Sequence, residues 1–209
     1  MNHTVENRIH FGVPIFEYQL PEYPAIQADL VSHLESLQTD DPGVVRSNQD
    51  GWHSSDQLHK DETPVIRELL TRLFTVAAEC IRHHQGNTQS NMTVQLTNCW
   101  ANITNSGGWN APHNHFPRAW SAVFYVSVNE NRPMKHNAIQ DGDIVFFDPM
   151  PLSYSMGRAP TISYPPKNGL MYLFPAYLLH MVAPHYDKQP RISLAFNFDL
   201  VPTTTNADN

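Results

Sequence analysis

The sequence predicts a mainly β protein, a jelly roll or sandwich of mostly antiparallel strands preceded by two helices. Three observations carry this. From Met92 onward the chain breaks into short β runs separated by Pro, Gly and Asn. No helical pattern intervenes between those runs, so the crossovers that parallel strands require are missing. The strong 3.6-residue periodicity lies ahead of Met92.

Taken in order, "HFGVPIFEYQL" is a short strand candidate. A helix follows from about Pro24 to Leu37, because Ile26, Leu30, Leu34 and Leu37 fall on one face. The next stretch, "TDDPGVVRSNQDGWHSSDQLHKD", has no sustained period and is too long for an ordinary connection, so it reads as a functional loop. In the second helix Thr63 is placed as N-cap and Pro64 in the first turn. Ile66, Leu69, Leu70, Leu73, Ala77, Cys80 and Ile81 then form a continuous stripe suited to covering a sheet.

The β runs are "MTVQLTNCWANIT", "WSAVFYVSV", "DIVFFDP", "LMYLFP", "YLLHMVA" and "RISLAFNFDL". The segment "DPMPLSYSMGRAPTISYPPKNG" reads as a long loop with one short strand near Thr161–Tyr164. In the last run Arg191, Ser193, Ala195, Asn197 and Asp199 alternate with Ile192, Leu194, Phe196, Phe198 and Leu200. One face is therefore apolar and fit to pack under the helices. The other either meets solvent or lines a barrel mouth holding a polar ligand.

At 209 residues, with 41% hydrophobic and 16% charged residues, the chain fits one well-buried core. We expect a single domain over residues 1–200, with an N-terminal strand and helices in 1–91, a jelly-roll core in 92–200 and a flexible tail in 201–209. With 13 Lys and Arg against 20 Asp and Glu, the net charge of −7 argues against nucleic acid as a partner. The N-terminal stretch lacks a secretory pattern and "GLMYLFPAYLL" is too short to span a bilayer, so the expected location is the cytoplasm, without membrane attachment. A homodimer is compatible with this reading. Cys80 and Cys99 are expected to be buried free thiols.

The stretch "HNHFPRAWSAVFYV" carries His113 and His115. On a strand, residues i and i+2 project to the same face, so both rings can reach one metal ion. Alone this is a weak signal among 12 histidines. It is strengthened by His180 at the end of an apolar run and by Arg191, in "RIS", eleven residues later. Imidazoles suit a metal, and a planar, permanently charged fork suits the far carboxylate of a small dicarboxylate cosubstrate.

The ordered set "SNQDGWHSS", "HNHFPRAWSAVFYV", "GDIVFFDP", "LFPAYLLHMVAPH" and "RISLAFNFD" resembles the oxygenases dependent on Fe(II) and 2-oxoglutarate, and more narrowly a bacterial and phage group of them. The resemblance spans roughly Ser47 to Leu200 and implies a double-stranded β-helix (cupin-like jelly-roll) core, with the two N-terminal helices packed on one sheet. It implies that His113 and His180 ligate Fe(II), with His115 at the position where the family usually has Asp or Glu. Arg191, with Ser193 beside it, would hold the distal carboxylate of 2-oxoglutarate. Tyr125, Asn102 and Asn197 would join that cosubstrate pocket, and Asn197 could instead touch a ligand histidine. Trp52 and Ser54 would border the substrate, unless Trp52 only anchors its loop. The implied reaction consumes molecular oxygen, releases succinate and carbon dioxide, and hydroxylates a small-molecule or peptide substrate that the sequence leaves unidentified. Loops 39–62, 129–142 and 149–168 would shape the substrate pocket.

Three other readings stay open at this point. One is a three-histidine cupin dioxygenase without cosubstrate, against which Arg191 and Ser193 speak. Another is a non-catalytic metal- or ligand-binding jelly roll. The third, an HNH nuclease, is opposed by the charge balance. His185 competes with His180 as a ligand, but "APHYDKQP" reads as a turn that would orient it poorly.

Overall fold

The computed structural model describes residues 12–86, 91–131, 139, 141–150, 155, 157 and 159–203. Its elements run in the order β1 (Phe16–Gln19), α1 (Gln27–Asp40), β2 (Asn48–His53), α2 (Pro64–Gln85), β3 (Met92–His113), β4 (Trp120–Ser127), β5 (Ile144–Phe147), β6 (Thr161–Tyr164), β7 (Leu170–Pro175), β8 (His180–Val182) and β9 (Arg191–Pro202). The strands form one antiparallel network in the order β1-β7-β4-β9-β3-β8-β5-β6, with β2 added to β3.

This network is folded over. Phe146 of β5 meets Phe174 of β7 edge-on at 4.8 Å, and Tyr164 of β6 meets Tyr172 of β7 at 5.3 Å, although β7 lies far from β5 and β6 along the hydrogen-bonded path. These rings, with Val123, Tyr125, Ile144 and Leu170, fill the space between the two layers. The expected double-stranded β-helix is therefore present. A second core lies on the other face of the β1-β7-β4-β9-β3 layer. There Ile192, Leu194, Phe196 and Phe198 pack with Leu30 and Leu34 of α1 and with Ile66, Leu69, Leu73, Ala77 and Ile81 of α2. The apolar face of β9 thus lies under the helices, as its alternation predicts.

Several local expectations are corrected. The first helix begins at Gln27, after a 3-10 turn at Tyr23–Ala25, and runs to Asp40. Tyr23 Oη and Gln27 Nε2 both donate to the Val126 carbonyl, at 2.5 and 2.9 Å, which ties the helix start to β4. Thr63 does occupy the N-cap of α2, yet its hydroxyl makes no capping bond; instead its backbone N–H donates to Asp61 Oδ1 at 2.8 Å. The aperiodic 39–62 stretch contains β2 and a 3-10 turn at Leu58–Lys60. No strand period shows in the sequence there, because a Gly and a register shift between Gln49 and Gly51 break the alternation. The "YLLHMVA" run yields only His180–Val182 as strand. The expected tail starts too early, since β9 continues through Pro202 and the Thr203 N–H donates to the Asn91 carbonyl at 2.7 Å. Residues 204–209 lie outside the described residues, as do 132–138 and 140 of the expected 129–142 loop and 151–154, 156 and 158 of the 149–168 loop.

The largest difference is β3, which runs past the expected Thr104 to His113 and changes partner on the way. Met92–Thr104 pairs with β9, whereas Asn110 and His113 pair with Val182 and His180 of β8. The strand passes from one layer to the other through Gly107, at φ +89, and Gly108. A Cβ on Gly108 would lie 2.5 Å from both the Asp50 carbonyl and Thr104 Cγ2. We therefore expect Gly108→Ala to destabilise the fold by about 1–3 kcal/mol, read as a lower urea midpoint. Because the bend delivers His113, weaker metal retention should accompany that loss.

Candidate metal centre

Three adjacent rungs of side chains cross the concave face of β4, β9 and β3. They are Tyr125–Ser193–Asn102, Val123–Ala195–Trp100 and Ser121–Asn197–Asn98. The middle rung is apolar and aromatic, and those on either side are polar. Arg191 lies beyond the first rung on β9. All of these residues except Tyr125 line one cavity of about 380 Å³ between the layers.

His113 and His180 face each other in register across β3 and β8. His115 lies two residues past the end of β3, so strand alternation alone does not aim it. Its backbone N–H donates to the Ala176 carbonyl at 2.8 Å, and this bond keeps the chain against β7. The ring centroids are 4.4 Å apart for His113 and His180, 5.0 Å for His113 and His115, and 5.1 Å for His115 and His180. One nitrogen from each ring falls within 4.8 Å of the others, a spacing that a single metal ion can bridge. No carboxylate joins the cluster among the described residues.

The protonation states suit a metal. His113 Nδ1 lies 2.7 Å from the Ala111 carbonyl, and His180 Nδ1 lies 2.9 Å from the Leu178 carbonyl. A carbonyl only accepts, so Nδ1 carries the hydrogen in both rings and Nε2 keeps its lone pair. Burial lowers the pKa of His113 and, with the neighbouring imidazoles, holds His180 well below the usual histidine value. Burial, then His113 and His53, bring His115 down to about 3. The cluster is therefore neutral at physiological pH.

A stability consequence follows. Unfolded histidines titrate near 6.5, while these three take up protons only at lower pH when folded. Above pH about 6.5 neither state is protonated at these rings; as pH falls towards about 3 the unfolded chain binds protons that the folded chain does not. Metal-free protein should thus lose stability between about pH 6.5 and 5, before most carboxylates titrate. Urea midpoints across that interval would show it, with a flatter profile in His115→Ala. A midpoint independent of pH there would contradict it.

The second polar focus is Arg191, 4% exposed, whose Nη1 donates to Ser193 Oγ at 3.3 Å and whose guanidinium lies 5.1 Å from the centre of the Tyr125 ring. Tyr125 is fully buried and supports Arg191 without reaching the cavity wall. Asn102 and Asn197 are both buried, and the Oδ1 of each has no hydrogen-bond partner among the described residues. Asn197 lies on a central strand, since β9 runs between β4 and β3.

Trp52 and Ser54 lie away from the cavity. Trp52 belongs to the helix-side core, and its Nε1 donates to the Asp41 carbonyl at 2.8 Å. Ser54 Oγ accepts from the Ala101 N–H at 2.9 Å and donates to the Ser55 carbonyl at 2.8 Å. The residue between them faces the cavity instead. His53 lines the cavity and stacks on Trp100 at 5.4 Å and 10°, while His115 leans on the same indole at 5.6 Å. Alternation along β2 was the available signal, because a buried Trp52 turns its neighbour to the opposite face. Trp100 and Asn98 share the face of Asn102 by the same rule. His185 stands outside the cluster. Its Nε2 donates to the Thr104 carbonyl at 3.0 Å, and its backbone bonds Gly107 and Gly108 at the bend of β3. Cys80 and Cys99 are free; Cys99 is buried and Cys80 only partly so. No helix among the described residues is long and apolar enough to cross a membrane.

Residues 98–197, just under half of the chain, match the profile of the family described as "Putative 2OG-Fe(II) oxygenase". No curated relative matches the sequence. Among solved structures, a Pseudomonas putida prolyl-4-hydroxylase is 16% identical, with 88% of this chain and 91% of that one covered at a TM-score of 0.58. HygX from Streptomyces hygroscopicus, crystallised with nickel and 2-oxoglutarate, is 15% identical over 92% of this chain and 84% of its own, with a TM-score of 0.61. The 2-oxoglutarate-dependent epimerase SnoN of nogalamycin biosynthesis is 16% identical over 92% and 82%, with a TM-score of 0.63. At these identities the structural likeness speaks for the fold alone. The profile match covers the strands that carry the histidine cluster and Arg191, so this core is similar to that of the 2OG-Fe(II) oxygenases.

Proposed function

We propose that the protein hydroxylates a substrate at the expense of 2-oxoglutarate and oxygen, releasing succinate and carbon dioxide, with His113, His115 and His180 as the iron ligands. The observation that carries this reading is the coexistence, in one cavity, of three neutral imidazoles within 4.8 Å and a buried arginine facing the same space. When bound, Fe(II) and 2-oxoglutarate supply the chemistry, in which one oxygen atom enters succinate and the other the substrate.

The chain's own part is binding and orientation. The Ala111 and Leu178 carbonyls set the tautomers of His113 and His180, and Trp100 packs against His115. Arg191 supplies the forked donor for the distal carboxylate, held in place by Ser193 and Tyr125. The Asn102 amide, buried beside Ser193, is available to the same ligand. His180, Arg191, Ser193 and Asn102 are buried, which strengthens their polar contacts with the cosubstrate.

Incubation with Fe(II), ascorbate and 2-oxoglutarate in air tests the proposal. Slow succinate formation is expected even without substrate, and it should stop without oxygen. Absence of both succinate formation and 2-oxoglutarate binding would falsify it. One observation favours a second reading: the cluster has three imidazoles and no carboxylate among the described residues, as a cosubstrate-independent three-histidine dioxygenase would. Oxygen consumption without 2-oxoglutarate binding would decide for that alternative.

A further inference from the structure

We propose that the rung Ser121–Asn197–Asn98, with Asp56 beside it, is the substrate subsite and receives a hydrogen-bond-donating group, specifically a protonated amine. This inference rests on the reading of Arg191 as the cosubstrate anchor.

The first argument is position. Asn197 stands four residues beyond Ser193 on β9, about 14 Å away at the usual rise of a strand. Between them lies the Val123–Ala195–Trp100 rung. The histidine cluster touches this middle rung where His115 meets Trp100. It reaches the Asn197 side where His180 meets Phe174, the partner of Ser121 on β7, at 4.8 Å. A ligand running from the cluster to Arg191 therefore leads away from Asn197. Asn197, which the resemblance groups with the cosubstrate, lies on the opposite side and borders the remaining part of the cavity.

The second argument is hydrogen-bonding capacity. Ser121 Oγ donates its hydrogen to the Phe196 carbonyl at 3.1 Å and keeps only acceptor capacity towards the cavity. The Asn98 Nδ2 donates to Asp56 Oδ2 at 2.9 Å, and the Asn98 Oδ1 remains an available acceptor. Asn197, 6% exposed, has an Oδ1 with no partner among the described residues. A buried acceptor of this kind is costly unless a ligand supplies the donor. Asp56 adds a negative charge at the same end of the cavity. A carboxylate would meet the Asp56 charge and the acceptor-only Ser121 Oγ, with only the asparagine amides as donors, whereas an ammonium would satisfy the amide oxygens and pair with Asp56. Arg46, the cation that also borders the cavity, adjoins Ser47 on the His113 side.

The test uses Fe(II)-loaded protein without oxygen, saturated with 2-oxoglutarate. Cadaverine, pentanediol and glutarate serve as probes, and line broadening by the paramagnetic ion reports binding close to the metal. Cadaverine should bind, pentanediol more weakly and glutarate not at all. Asn197→Leu should lower cadaverine affinity at least tenfold, while Asn197→Asp, which keeps the acceptors and adds charge, retains or tightens it. Pentanediol binding equal to that of cadaverine would overturn the assignment of a protonated amine. Glutarate binding as tightly as cadaverine, or a cadaverine affinity unmoved by Asn197→Leu, would overturn the inference. So would a tenfold loss of 2-oxoglutarate affinity in that variant, which would return Asn197 to the cosubstrate. If Asn197→Leu fails to fold, Asn98→Ala and Asn197→Asp carry the same comparison. Failure of the unmodified protein to bind 2-oxoglutarate would overturn the reading under Proposed function itself, an outcome distinct from indifference to the three probes.

Discussion

Replacing His180 by alanine is expected to abolish iron retention and succinate formation, with iron affinity reduced at least about a hundredfold. His180 is the most buried of the three rings, 4% exposed, and its Nδ1 bond to the Leu178 carbonyl presets Nε2 for the metal. Among the described residues no other histidine joins the cluster to replace it. His185 is engaged by the Thr104 carbonyl, and His53 is held through Nδ1 by the Ser54 carbonyl at 2.6 Å. His113→Ala should behave in the same way, because its ring is set by the Ala111 carbonyl. His115→Ala should lose less, since no side-chain hydrogen bond among the described residues orients that ring, which packs on Trp100, His113 and His180. Iron stoichiometry after gel filtration, with His185→Ala as the control that keeps its metal, measures the series. Full iron and full activity in His115→Ala would make that ring a neighbour of the site instead of a ligand.

Arg191→Ala is expected to weaken 2-oxoglutarate binding by roughly 2–4 kcal/mol, on the order of thirtyfold to a thousandfold, with iron affinity nearly unchanged. The guanidinium is buried, so its pairing with a carboxylate is little screened by solvent. It is braced by Ser193 and the Tyr125 ring, so its fork is already oriented before a ligand arrives. Arg191→Lys keeps the charge but loses the fork and the flat contact with Tyr125, and most of the loss should persist. Calorimetric titration of 2-oxoglutarate into the iron-loaded variants separates these effects. Unchanged affinity in both variants would transfer the anchoring role to another cation.

Much of this architecture is legible in the chain because it depends on short periods. β9 declares both of its faces by alternation, and α2 shows its buried stripe at helical spacing. β6 and β7 appear at their expected bounds because turn residues flank them. Where a pattern is broken, sequence reasoning fails: β2 is interrupted at Gln49–Gly51, and β3 hides its second half behind "NSGG". His53, and not Trp52 or Ser54 on either side of it, lines the cavity, since a strand turns neighbours to opposite faces and the broken period of β2 hides which face is buried.

The sequence by itself determined the residue types of the site: histidines at 113, 115 and 180, an Arg-X-Ser at the start of the last strand, and a polar face running from Arg191 to Asn197. Only the tertiary structure decided which of them meet. Whether His113 opposes His180 depends on the bend at Gly107 and Gly108, which carries β3 from β9 to β8. Whether His115 joins them depends on a backbone bond to Ala176 on a distant segment. The two polar rungs stand apart because the register of β4 and β3 on β9 places an apolar rung between them. Alternation along one strand is local and can be read from spacing, but register between strands is set by packing and by loops far apart in the chain.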